Sequence, residues 1–529
     1  MKRNLFSLLL TLAGLSASAQ QIIPYSYSQY QKLNKSLYSK DTRFHTSLRP
    51  TIGDDTTIVR QLDSLSMIGT DRVRNPWATR KLFNEHLVEI NKEDFSVYLD
   101  FLPDFQIGRD TEHKITTWLN TRGYQVGGTI GKKFSFYTSG FENQSRFNNY
   151  LTNYINSIGV IPGMVNDKFG ANKNTKDWAY ATAVVNFTPN KFFSFTLGHD
   201  KNFVGDGYRS MLLSDVSASY PFFKIVTTLG NVKYMTMWAQ FQDPLSQQFS
   251  YDNGFRKKWG AFHYLDWNVN NRLSLGFFDS IIWQDADATG KRGFDVSYLN
   301  PVIFLRTVEG MNGSPDNALI GFTGKYKLLN NLTVYGQWAI DEFTAKEVFS
   351  NKGYWGNKFA YQLGVKGFDA FKVAGLNYLA EFNMARPFTY SQRTSLLNYG
   401  NYAEALAHPM GANFREVLTI WNYQYNKWAF SAQANYARYG LDNGQNVGKD
   451  INEPYDTRTG QYGYKTGGGL KTNFMYLDGR VSYVLNPKYN LRLELGGIYR
   501  QEKNSLSNDK TTMVTFGLRS TFRNIYQDF

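Results

Sequence analysis

The chain of 529 residues has no cysteine. No disulfide framework holds it and lipoprotein acylation is excluded, so cohesion must come from backbone pairing and packing. Long apolar runs are also missing. After Gln20 none reaches the roughly 18 residues of a membrane-spanning helix, and the mean hydropathy of −0.44 is that of a soluble protein. Histidine is scarce: His45, His86, His113, His199, His263 and His408 are scattered, and none stands in an HExxH or GxSxG context. His199 lies near Ser210 and Ser214, yet it extends the alternating face of Phe193, Phe195 and Leu197, which places it at a membrane interface. Gly467-Gly468-Gly469 lacks the Lys and Ser/Thr of a phosphate-binding loop. Neither catalysis nor a cofactor is expected.

What is abundant is aromatic. Phe, Trp and Tyr make up 16% of the chain, with 36 Tyr and 40 Phe. A polar average joined to that many rings fits a barrel whose wall alternates lipid-facing and lumen-facing side chains between aromatic girdles. A large soluble propeller or solenoid shares this composition. Formal net charge is +14, from 58 basic and 44 acidic residues. For an exported chain nucleic acid is an implausible partner; anionic lipopolysaccharide or an acidic surface glycan suits the charge better, unless it is simply solvated loop charge.

Export is read from the N-terminus. Lys2 and Arg3 form a basic region, Leu5 to Leu15 an apolar one, and Ala17-Ser18-Ala19 a signal peptidase site with cleavage before Gln20. Residues 20–94 then read as a small periplasmic appendage. Helices are predicted at Tyr25 to Tyr38, Ile58 to Ile68 and Trp77 to Ile90, the last with Pro76 at its first position and an apolar stripe of Leu82, Leu87 and Ile90. An extended stretch is expected around Ser47-Leu48-Arg49-Pro50.

From Phe95 to the end the period becomes two, as in Trp428, Phe430, Ala432 and Ala434 against Ala429, Ser431, Gln433 and Asn435. Tight turns are predicted at Lys132-Lys133, Pro189-Asn190-Lys191, Gly230-Asn231, Asn270-Asn271, Asn330-Asn331, Asp369-Ala370, Asn426-Lys427 and Asn486-Pro487-Lys488. Between them fall longer connections, such as 202–220, 285–315, 386–412 and 441–469. Short periplasmic turns alternating with long outer loops predict a transmembrane antiparallel barrel of about 18 strands with both ends in the periplasm. The apolar runs Val302 to Leu305 and Ala403 to Ala407 would be costly in open water, so the loops 285–315 and 386–412 are expected to fill the lumen. Val514, Phe516, Leu518 and Phe522 predict a closing strand that ends in the terminal Phe529, a signal for the barrel-assembly machinery.

The most distinctive segment runs Gly198-His199-Asp200-Lys201-Asn202-Phe203-Val204-Gly205-Asp206-Gly207-Tyr208-Arg209-Ser210 and on through Asp215. Its charges Asp200, Asp206, Arg209 and Asp215 either pair inside the lumen and pin the loop, or, with Tyr208, hold a glycan. Asp200, Asn202 and Asp206 are spaced somewhat like a calcium loop, but Val204 occupies a ligand position, so no metal site is expected. In the outer connections Tyr354, Trp355, Tyr462 and Tyr464 are candidates for stacking on sugar rings, or else belong to the outer girdle.

The same segment resembles the signature of the Wzi-like capsule-assembly family of outer-membrane proteins. Asn300-Pro301-Val302-Ile303-Phe304 and Ala407-His408-Pro409-Met410-Gly411-Ala412-Asn413-Phe414 resemble further segments of that family, in the version common among Bacteroidetes. The likeness runs from about Phe95 to the end; before that it is confined to Ser47-Leu48-Arg49-Pro50 and Arg80-Lys81-Leu82-Phe83-Asn84-Glu85. The resemblance implies an 18-stranded barrel with a periplasmic helical element, pore-filling loops, and a non-enzymatic role in attaching or organising surface polysaccharide at the cell surface. Related barrels are associated with gliding motility, which makes an accessory of motility or adhesion machinery the second reading; a narrow porin-like channel is the third. A periplasmic partner of residues 20–94 is left open.

Overall fold

The computed structural model describes residues 21–23, 25–53, 64, 67, 70, 76–167, 174–249, 254–301, 303–520, 523 and 525–529. The proposed signal peptide and most of the helix expected at Ile58 to Ile68 lie outside them.

Among the described residues 18 antiparallel strands close into one barrel. They are β1 (Phe95–Asp110), β2 (Ile115–Ile130), β3 (Phe134–Arg146), β4 (Lys176–Asn190), β5 (Phe193–Asp200), β6 (Tyr220–Leu229), β7 (Val232–Asp243), β8 (Arg256–Asn268) and β9 (Leu273–Gln284). The circuit continues through β10 (Asn317–Leu329), β11 (Leu332–Glu342), β12 (Lys358–Gly367), β13 (Leu376–Ala385), β14 (Phe414–Tyr425), β15 (Trp428–Leu441), β16 (Leu470–Asn486), β17 (Leu491–Lys503) and β18 (Asn508–Arg519). All eight predicted tight turns fall at junctions of consecutive strands, those at Pro189-Asn190-Lys191 and Asn486-Pro487-Lys488 overlapping the strand ends, and the long connections gather at the opposite end.

The alternation sets the two faces. Leu197, Leu363, Val417, Leu495, Val514 and Phe516 point outward and are exposed, while their neighbours Thr196, Gln362, Glu416, Glu494 and Thr515 point inward and are buried. Outward apolar side chains suit a lipid bath and inward polar ones a packed, hydrogen-bonded interior, the requirement for crossing a bilayer with strands. His199 falls on the outward face of β5, as its spacing predicts.

The seam is unequal. β18 pairs with the outer half of β1, from Met513↔Asp110 to Leu518↔Phe105. The turn-side half of β1 pairs instead with the short strand Val88–Asn91. Pro103, which has no N–H for a ladder, stands between the two stretches. Arg519 forms an ion pair with Asp104 there, and Ser520 Oγ donates to the Pro103 carbonyl at 2.7 Å.

Three expectations are corrected. First, residues 25–53 are not an appendage. Helix α1 (Tyr27–Leu37) confirms the predicted helix, but it lies inside the wall, where Tyr27 packs against inward-facing Tyr335, Leu379, Leu418 and Ile420. Leu48–Arg49 pairs with Phe203–Val204, and Lys35 meets Asp369 at the turn end. The segment goes in because α1 is rich in buried Tyr and Leu that water would not accommodate. Helix α2 (Trp77–Phe83) is shorter than expected and sits at the rim, its Lys81 carbonyl accepting from Asn486 Nδ2 at 3.1 Å. Leu87 and Ile90 lie beyond α2, and Ile90 belongs to the strand Val88–Asn91.

Second, only one of the two loops expected in the lumen is there. Residues 386–413 do enter it: Tyr390, Tyr399, Leu406, Ala407 and Met410 join Met211, Leu212 and Leu213 in a core against inward-facing Met235, Phe262 and Phe278. Residues 294–301 and 303–308 fold down the outside of β7–β9 instead. Tyr298 and Leu305 bury outward-facing Ala261, Ile281 and Trp283, Trp238 Nε1 donates to the Tyr298 carbonyl at 2.8 Å, and Leu305 N–H donates to Asp279 Oδ2 at 2.7 Å. Tyr298 and Leu305 are buried there, whereas Phe304 stays 56% exposed on the outward surface. The segment covers a stretch of wall whose outward His263 and Asp279 would be costly against lipid.

Third, the chain does not end in the wall. β18 stops at Arg519, and residues 525–529 return into the lumen, with Phe529 against Tyr154 at 4.6 Å and Tyr150 Oη donating to the Gln527 carbonyl at 2.7 Å. Phe522 lies outside the described residues.

The orientation can be tested directly. Epitopes inserted at Gly290 or Gly444, in long connections, should be reached by antibody on intact cells, and one between Asn270 and Asn271 should not. Equal labelling at both sets of sites would refute the assignment of long connections to the outside.

Candidate functional site

The signature leaves β5 at Asp200 and turns inward. Gly205 has φ +144°, and a Cβ on Gly207 would collide with Glu381 Oε1 and the Arg209 carbonyl, so glycine lets this backbone pass against the wall. Asp206, 4% exposed, is the hub of one end. Its carboxylate accepts from Tyr38 Oη at 2.5 Å, Thr46 Oγ1 at 2.5 Å and Ser47 Oγ at 2.8 Å, all on the N-terminal segment, and Lys325 Nζ lies 3.6 Å away. Lys366 Nζ donates to the Asp206 carbonyl. Burial opposes the charge of Asp206, but Lys325, Lys366 and Arg49 overcome it and hold its pKa well below the usual carboxylate range.

Arg209, 1% exposed, is the hub of the other end. Its Nη2 donates to Asp528 Oδ2 at 2.7 Å and to Glu416 Oε1 at 3.1 Å. Glu416 is also held by His408 Nε2 at 2.8 Å and Asn435 Nδ2 at 3.1 Å. Tyr208 is edge-on to Tyr27 at 4.9 Å, and its N–H donates to Glu381 Oε1 at 2.7 Å. Asp200 pairs with Arg523 at 2.8 Å, and Asp215 accepts from Tyr526 Oη at 2.6 Å.

The five residues singled out in the signature, Asp200, Asp206, Tyr208, Arg209 and Asp215, are thus brought into one network. It fastens the N-terminal segment on one side and the C-terminal segment on the other, and its charges are buried against protein. Each of the four charges has a partner within the protein. The partners Glu381 and Glu416 were not singled out, although inward parity on apolar-alternating strands marks them.

The candidate loop aromatics meet on the outer side. Connections 343–357 and 442–469 are joined by backbone bonds, Trp355 N–H to the Gln461 carbonyl at 3.1 Å, Gly463 N–H to Lys352 at 2.9 Å and Tyr464 N–H to Gly353 at 2.9 Å. Tyr354 lies 6.1 Å from Trp355 and 5.7 Å from Tyr462. The Arg458 guanidinium stacks 3.6 Å from the centre of Trp355, and Lys352 Nζ lies 5.9 Å from that of Tyr462, which is 50% exposed. Tyr464 turns away to meet Phe388 at 4.9 Å. Three of the four aromatics therefore share a patch, and Arg458 and Lys352 supply cations that sequence reading missed. An aromatic platform flanked by guanidinium and ammonium groups can stack on the C–H face of a sugar and pair with an acidic substituent.

The lumen is filled on the β6–β12 side. Towards β1–β3 and β13–β18 it keeps a cavity of about 400 Å³, reaching from turn-side Gly375 and Asn490 to Asn148 and Leu151 near the outer end.

No protein-family model matches this chain, and no curated protein matches it in sequence. Solved structures do match. OprD of Pseudomonas aeruginosa, at 9% identity, aligns over 80% of this chain and 94% of its own with a TM-score of 0.41. OccAB2 of Acinetobacter baumannii, at 8% identity, aligns over 80% and 97% with a TM-score of 0.43. Wzi of Escherichia coli, described as an outer-membrane protein involved in group 1 capsule assembly and a carbohydrate-binding β-barrel, aligns over 95% of this chain and 99% of its own at 13% identity and a TM-score of 0.57. What this chain shares with Wzi is the fold, a closed antiparallel barrel of 18 strands.

Proposed function

We propose that the protein is a non-enzymatic outer-membrane barrel that binds a surface polysaccharide, capsular or exported, and so attaches or organises it at the cell surface. The observation that carries this reading is the outer patch of Trp355, Tyr354 and Tyr462 flanked by Arg458 and Lys352. Its cations favour an acidic glycan. The Wzi-like signature, which agrees, acts here as the clamp that keeps the loops and both terminal segments in place beneath the patch. A packed lumen on one side does not suit a wide diffusion channel.

Trp355→Ala should weaken binding of acidic polysaccharide at least tenfold, about 1.4 kcal/mol, with an unchanged yield of heat-modifiable folded barrel. In cells, loss of the gene should leave glycan synthesis intact and shift glycan from the surface to the medium. Normal surface glycan together with lost spreading on agar would overturn this reading in favour of a motility role.

A further inference from the structure

The cavity between α1 and the wall has features that a leftover void lacks. Lys32, on α1, is exposed into it and forms no ion pair among the described residues. Arg492 lines the same space and pairs with Glu494 at 2.8 Å. Six cationic side chains line the cavity against four acidic ones. Burial and the nearby Arg492 charge depress the Lys32 pKa to about 8, the mark of an ammonium short of counter-charge. Asn377 and Asn422, inward-facing and directly paired across β13 and β14, also line it. Asn377 Oδ1 and Asn422 Nδ2 are both buried and without a hydrogen-bond partner among the described residues.

Unpaired buried amide groups are costly, and the half-buried side chains that carry them stand side by side on the cavity wall, where a ligand that orders them would be favoured. A sugar hydroxyl, which donates and accepts, suits a wall of two neighbouring amides. The lone ammonium beside a guanidinium matches a carboxylate. A volume near 400 Å³ falls in the range of small-molecule sites, which is roughly 300–1,000 Å³, and suits one or two sugar rings rather than a polymer chain. Its lining reaches Gly375 and Asn490 at the turn side, opposite the outer patch.

We propose that this cavity is a second binding site, entered from the turn side, for a short acidic saccharide such as a uronic acid or a disaccharide containing one. It rests on the polysaccharide reading for its ligand class, but it is a separate site with separate residues. A barrel with both sites would meet the acidic sugar on both sides of the membrane.

The test is titration of the detergent-folded full chain with D-glucuronate, and with D-glucose as the neutral control, by calorimetry. Glucuronate should bind and glucose should bind at least tenfold more weakly. Lys32→Gln and, separately, Asn422→Leu should each weaken glucuronate binding tenfold or more while heat-modifiability stays intact, and should do so equally in a Trp355→Ala background, where the outer patch no longer contributes. Removing an unpaired amide does not threaten the fold, so Asn422→Leu serves even if Lys32→Gln folds poorly. No glucuronate binding at millimolar concentration, equal binding of glucose, or wild-type affinity in both cavity variants would overturn the proposal. Loss of binding in Trp355→Ala alone would place the sugar at the outer patch and refute the cavity while sparing the polysaccharide reading.

Discussion

Arg209→Ala is expected to cost the folded barrel itself, before any effect on a ligand can be read. The guanidinium is buried between Glu416 and Asp528, and without it two carboxylates face each other in a site that water does not reach. Breaking a buried pair by removing one partner costs about 3–5 kcal/mol, and here one cation serves two anions. Released Asp528 also frees the segment 525–529 from its place in the lumen. The folded, heat-modifiable fraction should fall sharply, and the remaining barrels should lose their last residues to carboxypeptidase. Arg209→Ala in combination with Glu416→Gln should recover part of the yield, since one stranded charge goes with the cation. Wild-type yield in the single variant, with weaker glycan retention, would make Arg209 a ligand-binding residue instead.

Asp206→Ala should open the pore. In the native protein one carboxylate gathers three hydroxyl donors from the N-terminal segment and faces Lys325, while Lys366 holds its carbonyl. Alanine leaves those hydroxyls unpaired and the lysines without their counter-charge, at a cost of several kcal/mol. The wall has its own ladder and survives, so the loss falls on the seating of residues 25–53. Planar-bilayer recordings should show large, fluctuating conductance in the variant against little in the wild type, and limited proteolysis should cut within 25–53. A variant as quiet and as protected as the wild type would mean that the apolar contacts of α1 seat the segment unaided.

The wall was legible in the sequence because the physics that makes it is local. A two-residue period and a turn of Asn, Gly or Pro are each visible within a dozen residues, and the eight turns such as Asn270-Asn271 and Asn330-Asn331 were placed correctly on that basis. The contents of the lumen were not legible. Whether an apolar loop such as 294–308 buries itself inside or outside depends on Ala261, Ile281 and Trp283, which belong to other strands. The same holds for residues 25–53, whose helix was readable from its own pattern while its location was decided by Tyr335, Leu418 and Asp206. At the candidate site the aromatics announced themselves by type, and Tyr354, Trp355 and Tyr462 do meet. Arg458 did not, because nothing in its own neighbourhood shows that it stacks on a tryptophan far earlier in the chain.

The unequal seam gives the cylinder a preferred line of failure. Elsewhere neighbouring strands hold each other along most of their length, as β1 and β2 do from Phe95↔Ile130 to Asp110↔Ile115. Between β18 and β1 the ladder stops at Leu518↔Phe105, and the remainder is closed by a four-residue strand that belongs to the beginning of the barrel. Below Phe105 the first and last strands are joined by side chains, Arg519 to Asp104 and Ser520 to Pro103, in place of a continuous ladder. A joint made of few bonds opens at lower free energy than the sheet around it. The wall is therefore a ribbon with a clasp, and fraying, thermal or mechanical, starts at the clasp and peels β18 from the outer half of β1 while the hairpin of Val88–Asn91 and β1 stays shut.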